Sequence, residues 1–156
     1  LRFEGPALCL GPDIDTDLII AGRYLRTKDR SLWAAHAFED LDPALAGELR
    51  GKVIVAGKNF GCGSSREQAV IALKEAGVRG VVAPSFARIF FRNAINIGLP
   101  VAECEFACRE GEQIEADLRT GILAAGGRSY RMNPLSPRML EILAAGGLVE
   151  WWRGRR

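Results

Sequence analysis

The chain has 156 residues, 26% of them charged and 48% hydrophobic, and a net charge of +2. That length suits one domain with its own core, taken as residues 1–156, and the near balance of charge argues against nucleic acid or a membrane surface as partner. No apolar run approaches the roughly 20 residues of a membrane-spanning helix. The start, Leu1-Arg2-Phe3-Glu4, has no signal-peptide shape. It also lacks Met, so a few preceding residues are expected to be missing. Cys9, Cys62, Cys104 and Cys108 form no Cys-x-x-Cys pair and no zinc or iron–sulfur spacing, so no metal is expected on this chain. This usage reads as a reduced, cytoplasmic protein.

Residues 2–10 read as a strand, ended by Gly11-Pro12. Cys9 there and Cys104 in a later apolar run are expected to be buried thiols. Asp13, Asp15 and Asp17 alternate as at the start of a calcium loop, but Leu18 stands where that loop needs Gly. Capping of a turn by some of these acids, with one pointing into a site, is the expected arrangement. Residues 21–30 are basic and without period, either a solvated connector or a cationic lid. A short helix over 31–38 follows, with Ser31 as N-cap. It carries His36, the only histidine, read as packed or exposed rather than as a base. Asp42-Pro43-Ala44 opens another short helix with Pro43 at its first position.

Val53-Ile54-Val55-Ala56 is a buried strand. The stretch Gly57-Lys58-Asn59-Phe60-Gly61-Cys62-Gly63-Ser64-Ser65-Arg66-Glu67-Gln68 leads from it into a helix closed by Gly77. A glycine-rich turn thus delivers two serines and an arginine to a helix start. Free N–H groups and partial positive charge there, with the Arg66 guanidinium, make a place for an anion, above all a carboxylate. A second reading needs no ligand: Ser64 with Glu67, or Ser65 with Gln68, fits a capping box. A Walker loop, a dinucleotide fingerprint and a nucleophile elbow all fit worse, because Arg66 and the paired serines occupy positions those motifs assign otherwise. Cys62 in this loop could approach a ligand, though a small loop residue is the simpler reading.

Residues 78–83 form the next strand, parallel to the previous one across a β-loop-α-β unit. Pro84 or Ser85 starts a helix over 86–97, closed by Gly98, with Phe86, Ile89, Phe90, Ala94 and Ile97 as its core stripe and Arg88, Arg92 and Asn93 away from it. Residues 99–102 begin another strand. From 113 to 132 the alternation and the turns at Thr120-Gly121 and Gly126-Gly127 predict an antiparallel meander. Ser136 caps a helix over 137–145 with Pro137 first. Gly146-Gly147 stops it, and residues 148–153 add a last turn or two. Trp151 and Trp152 are expected to seal a core edge or an interface, and the basic end Arg153-Gly154-Arg155-Arg156 reads as a solvated tail.

Gly61-Cys62-Gly63-Ser64-Ser65-Arg66-Glu67 and Ser85-Phe86-Ala87-Arg88-Ile89-Phe90-Phe91-Arg92-Asn93 resemble the small subunit of the isopropylmalate isomerase and homoaconitase family, across essentially the whole chain. Asp15-Thr16-Asp17 and Leu143-Ala144-Ala145-Gly146-Gly147-Leu148 fit it too. The resemblance implies an α/β fold of the swivelling β/β/α type seen in the last domain of aconitase. It also implies a large-subunit partner that holds a [4Fe–4S] cluster and the rest of the active site, with no cofactor on this chain.

The implied reaction removes water from a hydroxy-di- or tricarboxylate and adds it back the other way round, the cluster iron acting as Lewis acid on the hydroxyl. By resemblance Ser64 is the base, its alkoxide stabilised by nearby N–H groups and charge. Ser65 and Arg66 hold the substrate carboxylate, and Asp17 assists proton handling. The loop at Tyr24-Leu25-Arg26-Thr27 is linked to specificity. Arg26 there suits the extra carboxylate of homoaconitate or a broad specificity, while an apolar side chain would suit isopropylmalate. Isopropylmalate ranks first and homoaconitate second. A non-catalytic anion-binding module is the competing class.

Overall fold

Strands β1 (Arg2–Cys9), β2 (Val53–Val55), β3 (Gly80–Ala83) and β4 (Val101–Glu103) run parallel, and β5 (Gln113–Asp117), β6 (Ile122–Ala125) and β7 (Arg128–Arg131) form an antiparallel meander in this computed structural model, which describes residues 1–155. They join in one sheet of order β4-β3-β2-β1-β5-β6-β7. Strand β1 belongs to both halves. Arg2 through Pro6 pair antiparallel with β5, and Ala7 through Cys9 pair in parallel with β2. Helices α3 (Glu67–Glu75) and α4 (Arg88–Ile97) are the crossovers between successive parallel strands. The antiparallel half, the parallel half and these helices make the mixed α/β fold that the resemblance implies.

Burial follows the two kinds of pairing. Every residue of β2 and β3 is buried, as parallel strands covered on both faces require. Strand β5 instead alternates, with Ile114 and Ala116 inside and Gln113 and Glu115 outside. Helices α3, α4 and α5 (Pro137–Ala145) end where the sequence predicts, because Gly77, Gly98 and Gly146 adopt φ of +89°, +91° and +96°. Ser136 caps α5 through a 3.2 Å bond from the Met139 N–H to its Oγ. Gly147 then starts α6 (Leu148–Arg153).

Several local expectations are corrected. Helix α2 (Arg30–Ala35) is capped by Asp29, whose carboxylate accepts from both the N–H and the hydroxyl of Ser31, so Ser31 is not the cap. The turn after Asp42 becomes a 3-10 helix (Leu45–Glu48), with Asp42 accepting from the Ala44 N–H, and Pro43 precedes it. Helix α4 starts two residues late, because Phe86 bridges to Phe60 and is held in extended backbone. Cys104 is buried, but Cys9 is only partly so. Trp151 packs against the core while Trp152 is exposed. The basic end is not wholly a free tail: Arg153 is helical and the Arg155 guanidinium lies over the Trp151 ring at 4.8 Å; Arg156 lies outside the described residues.

Candidate active site

The glycine-rich turn is threaded between two other segments. On one side the Gly61 N–H donates to the Ile14 carbonyl and the Thr16 N–H donates to the Cys62 carbonyl, each at 2.8 Å. On the other, the Phe60 N–H donates to the Ser85 carbonyl at 3.1 Å and the Ala87 N–H to the Phe60 carbonyl at 2.9 Å. Ser85 does not cap α4; its hydroxyl accepts from the Asn59 N–H at 2.9 Å and braces the turn. Gly61 and Gly63 have φ of +81° and +90°. A Cβ on Gly61 would run into the Phe90 ring, and one on Gly63 into the Asp15 carboxylate. Both glycines are therefore fixed by backbone conformation and by close approach.

The turn leaves its serines free. Helix α3 begins at Glu67 with Arg66 as the flanking residue, and no side chain caps it. The capping boxes read from Ser64 with Glu67 and Ser65 with Gln68 do not form. Ser64 and Ser65 are exposed. Arg66 is fixed from behind: its Nη1 lies 2.5 Å from Asp17 Oδ1 and donates to the Ile20 carbonyl at 3.2 Å. The Arg66 side chain is 19% exposed and that of Asp17 60%. Asp17 sits on α1 (Thr16–Ile19), whose N-cap is Asp15, accepting from the Asp17 N–H at 2.8 Å.

One residue of this segment had no assigned role in the sequence. Thr16 is 2% exposed, the one buried polar residue among those described. Its hydroxyl donates to the Ser64 carbonyl at 2.7 Å. Only its place between two acids in Asp15-Thr16-Asp17 could have drawn attention to it.

A cavity of about 230 Å³ opens over the serines. Thr16, Ser64, Ser65 and Arg66 line one side; Arg88, Ile89 and Asn93 of α4 line the other. Ile89 is 54% exposed and is not core. The α4 stripe turns by a residue, so Phe90, Ala94 and Ile95 are buried and Ile89 faces the cavity. Arg88 and Asn93, read as lying off the stripe, face it too. The cavity thus offers hydroxyls and guanidinium groups together with apolar surface from Ala87, Ile89 and Phe90, a lining suited to a small carboxylate with an apolar part.

Residues 13–103 match the family model described as the aconitase C-terminal domain. The chain belongs to that family. It is 46% identical to a 3-isopropylmalate dehydratase small subunit of Thermodesulfovibrio yellowstonii, over 99% of this chain and 96% of that one. It is 53% identical to the methanogen homoaconitase small subunit of Methanothermobacter thermautotrophicus, over 94% and 88%. Among solved structures, a 3-isopropylmalate dehydratase from Methanocaldococcus jannaschii superposes with a TM-score of 0.94 at 43% identity, over 99% of this chain and 95% of that one.

Within this aconitase-type domain the segment carrying Arg26 is anchored at its base. Arg23 pairs with Asp40 at 2.7 Å and with Glu39 at 2.6 Å, and the Tyr24 hydroxyl donates to Glu39 at 2.6 Å. The Trp33 indole N–H donates to the Tyr24 carbonyl at 2.9 Å, and His36 stacks on Tyr24 with ring centroids 4.3 Å apart. His36 also hydrogen-bonds Glu39, so it is part of the anchor. The Tyr24 hydroxyl, Arg23 and His36, in that order, hold Glu39 down at about 2. Arg26 beyond this anchor is exposed and does not line the cavity; no ion pair or hydrogen bond engages its side chain among the described residues. The base of the segment does reach the site, since Gly22 lies beside the Arg66 guanidinium.

No three His, Cys, Asp or Glu side chains converge on a metal position among the described residues. The three acids at 13–17 are spent on a cap, on Arg66 and on the Asn59 amide. Burial, then Asp15 and Asp13, push the Cys62 thiol up. These residues do not fit as ligands of an iron–sulfur cluster. No described helix is long and apolar enough to cross a membrane.

Proposed function

We propose that this chain, as one domain spanning 1–156, is the small subunit of a cytoplasmic hydro-lyase that interconverts 2-isopropylmalate and 3-isopropylmalate. A large subunit carrying the [4Fe–4S] cluster completes the site. The observation that carries the reading is the pair of exposed, uncapped hydroxyls of Ser64 and Ser65 beside an arginine that Asp17 already holds in place.

In this reading Ser64 takes the proton from the carbon next to a substrate carboxylate. The electron pair of that C–H bond becomes the new C=C bond as hydroxide leaves the adjacent carbon on the large subunit's side. Rehydration at the other carbon returns the proton from Ser64. A serine alkoxide is a high-energy species, and the uncapped N–H groups at the start of α3 with the Arg66 guanidinium supply the positive potential it needs. Ser65 and Arg66 bind the carboxylate, Arg66 through its planar fork. Asp17 orients Arg66 and takes part in proton handling. Ile89 gives the isopropyl group an apolar wall.

The test is reconstitution with a cluster-bearing large subunit. The wild-type pair is expected to turn over isopropylmalate, and Ser64→Ala to lower kcat by about 10³-fold with assembly unchanged. Absence of hydratase activity in the wild-type pair would leave the non-catalytic anion-binding module. Full activity of Ser64→Ala would remove Ser64 as the base.

A second reading, homoaconitase, is favoured by Arg26, whose guanidinium is unengaged by other described side chains. A free cation brought to the substrate when the large subunit completes the site would reward an extra carboxylate and do little for an alkyl group. Arg26→Val is expected to lower kcat/KM on homoaconitate at least about tenfold while leaving isopropylmalate unchanged. Equal effects on both substrates would remove Arg26 as the discriminator.

A further inference from the structure

Cys9 is the last residue of β1, and Cys108 lies in the connection between β4 and β5. Their Sγ atoms stand 3.2 Å apart across 99 residues of chain, within hydrogen-bonding distance. Both thiols are partly buried against the core. The backbone around them is stitched together: the Cys9 N–H donates to Glu110 Oε1, the Gly111 N–H to the Ala7 carbonyl, and the Ala7 N–H to the Glu112 carbonyl, each at 2.8 Å. The sheet itself therefore holds the two sulfurs face to face. A disulfide bond is about 2.05 Å long, so closure asks for roughly 1 Å of approach. Neither cysteine lines the candidate active site.

We infer that Cys9 and Cys108 are a dithiol that closes reversibly into an intrachain disulfide on meeting a low-molecular-weight disulfide oxidant. The Cys9 thiolate attacks one sulfur of the oxidant and expels a small thiolate. The Cys108 thiolate then attacks the Cys9 sulfur of the mixed disulfide and expels the second. Two protein thiols are oxidised, one small disulfide is reduced to two thiols, and the two protons pass to those thiols. Cys9 leads because it is the readier to ionise. Burial, the contact with Cys9 and nearby glutamates push Cys108 up to about 12, whereas a thiolate on Cys9 accepts from the Cys108 thiol, which works against the burial that raises Cys9. Thiolate supply limits the step, so closure speeds up as pH rises. The bond would tie the end of β1, which leads into the Asp13 to Asp17 segment, to the β4–β5 connection. It would enclose a long loop and restrict the unfolded chain accordingly.

The test uses the full chain, reduced and then incubated with oxidised glutathione. Two of the four free cysteines are expected to disappear, with a mass loss of two hydrogens and a peptide map joining Cys9 to Cys108. Dithiothreitol is expected to restore them. The oxidised form is expected to melt roughly 5–10 °C higher than the reduced one. Cys108→Ser is expected to stop at a glutathione adduct on Cys9. Four persistent thiols, a lasting adduct on the wild-type chain, a bridge to Cys62 or Cys104, a bridge between two chains, or equal melting of the two forms would each overturn the inference.

Discussion

Thr16 shows how one side chain can set the backbone geometry of a neighbour. Its hydroxyl is buried and donates to the carbonyl of Ser64, so it fixes the backbone from which the proposed base projects. Thr16→Val keeps the shape but leaves that carbonyl without its donor, at a cost of about 1–2 kcal/mol. Turnover of the reconstituted enzyme is expected to fall about tenfold, with KM little changed. Thr16→Ser is expected to restore most of it, and equal loss in both variants would make the role one of packing alone. Arg66 shows the same logic with charge: the chain orders its guanidinium against Asp17 before any ligand arrives. The delivery of Ser64, Ser65 and Arg66 to a helix start was legible in their order along the chain. Their freedom from capping was not, because a capping box and an open anion site share the same residues.

The Arg23 to Thr27 segment is governed by an element that the sequence does not advertise. Glu39 accepts from Tyr24, Arg23 and His36 together. Its folded value of about 2 lies below the ordinary 4.5, so its anchoring is fully present above pH 4.5 and is lost as pH falls toward about 2. Trp33 reports on this through its bond to the Tyr24 carbonyl. Tryptophan fluorescence of the wild-type chain is expected to change over that acid window, and Glu39→Gln is expected to show the altered signal already at neutral pH. The residues are partly exposed, so salt screening keeps the effect on global stability small. A fluorescence signal indifferent to this substitution would show that the anchor does not hold the segment. The basic run was visible in the sequence as loop or lid. Its tether was not, since Glu39 and Asp40 reach it only through the turn after α2.

Across the whole molecule the site is where α1, the glycine turn and α4 meet, and it is open on one side. Gly61 is the point of closest approach, packed on the Phe90 ring of α4. Gly61→Ala forces both a left-handed φ on a residue with a Cβ and a collision with that ring. A loss of about 2 kcal/mol corresponds to a fall in Tm of roughly 4–8 °C for a chain of this size. Calorimetry of the isolated chain would measure it, and an unchanged Tm would mean that the turn and α4 can separate freely. The exposure of Ser64, Ser65 and Ile89 on the same open side is what a complementary half-site would cover.

The sequence by itself determined the strands, the meander and the helix stops, because apolar alternation and left-handed glycines act over a few residues. It also singled out the glycine turn with its serines and arginine, through motif and resemblance together. Only the tertiary structure decided that the serines are uncapped, that Ile89 faces the cavity, that Thr16 holds Ser64, and that Cys9 meets Cys108. Each of these depends on segments tens of residues apart arriving at one place, and local pattern carries no record of such distances.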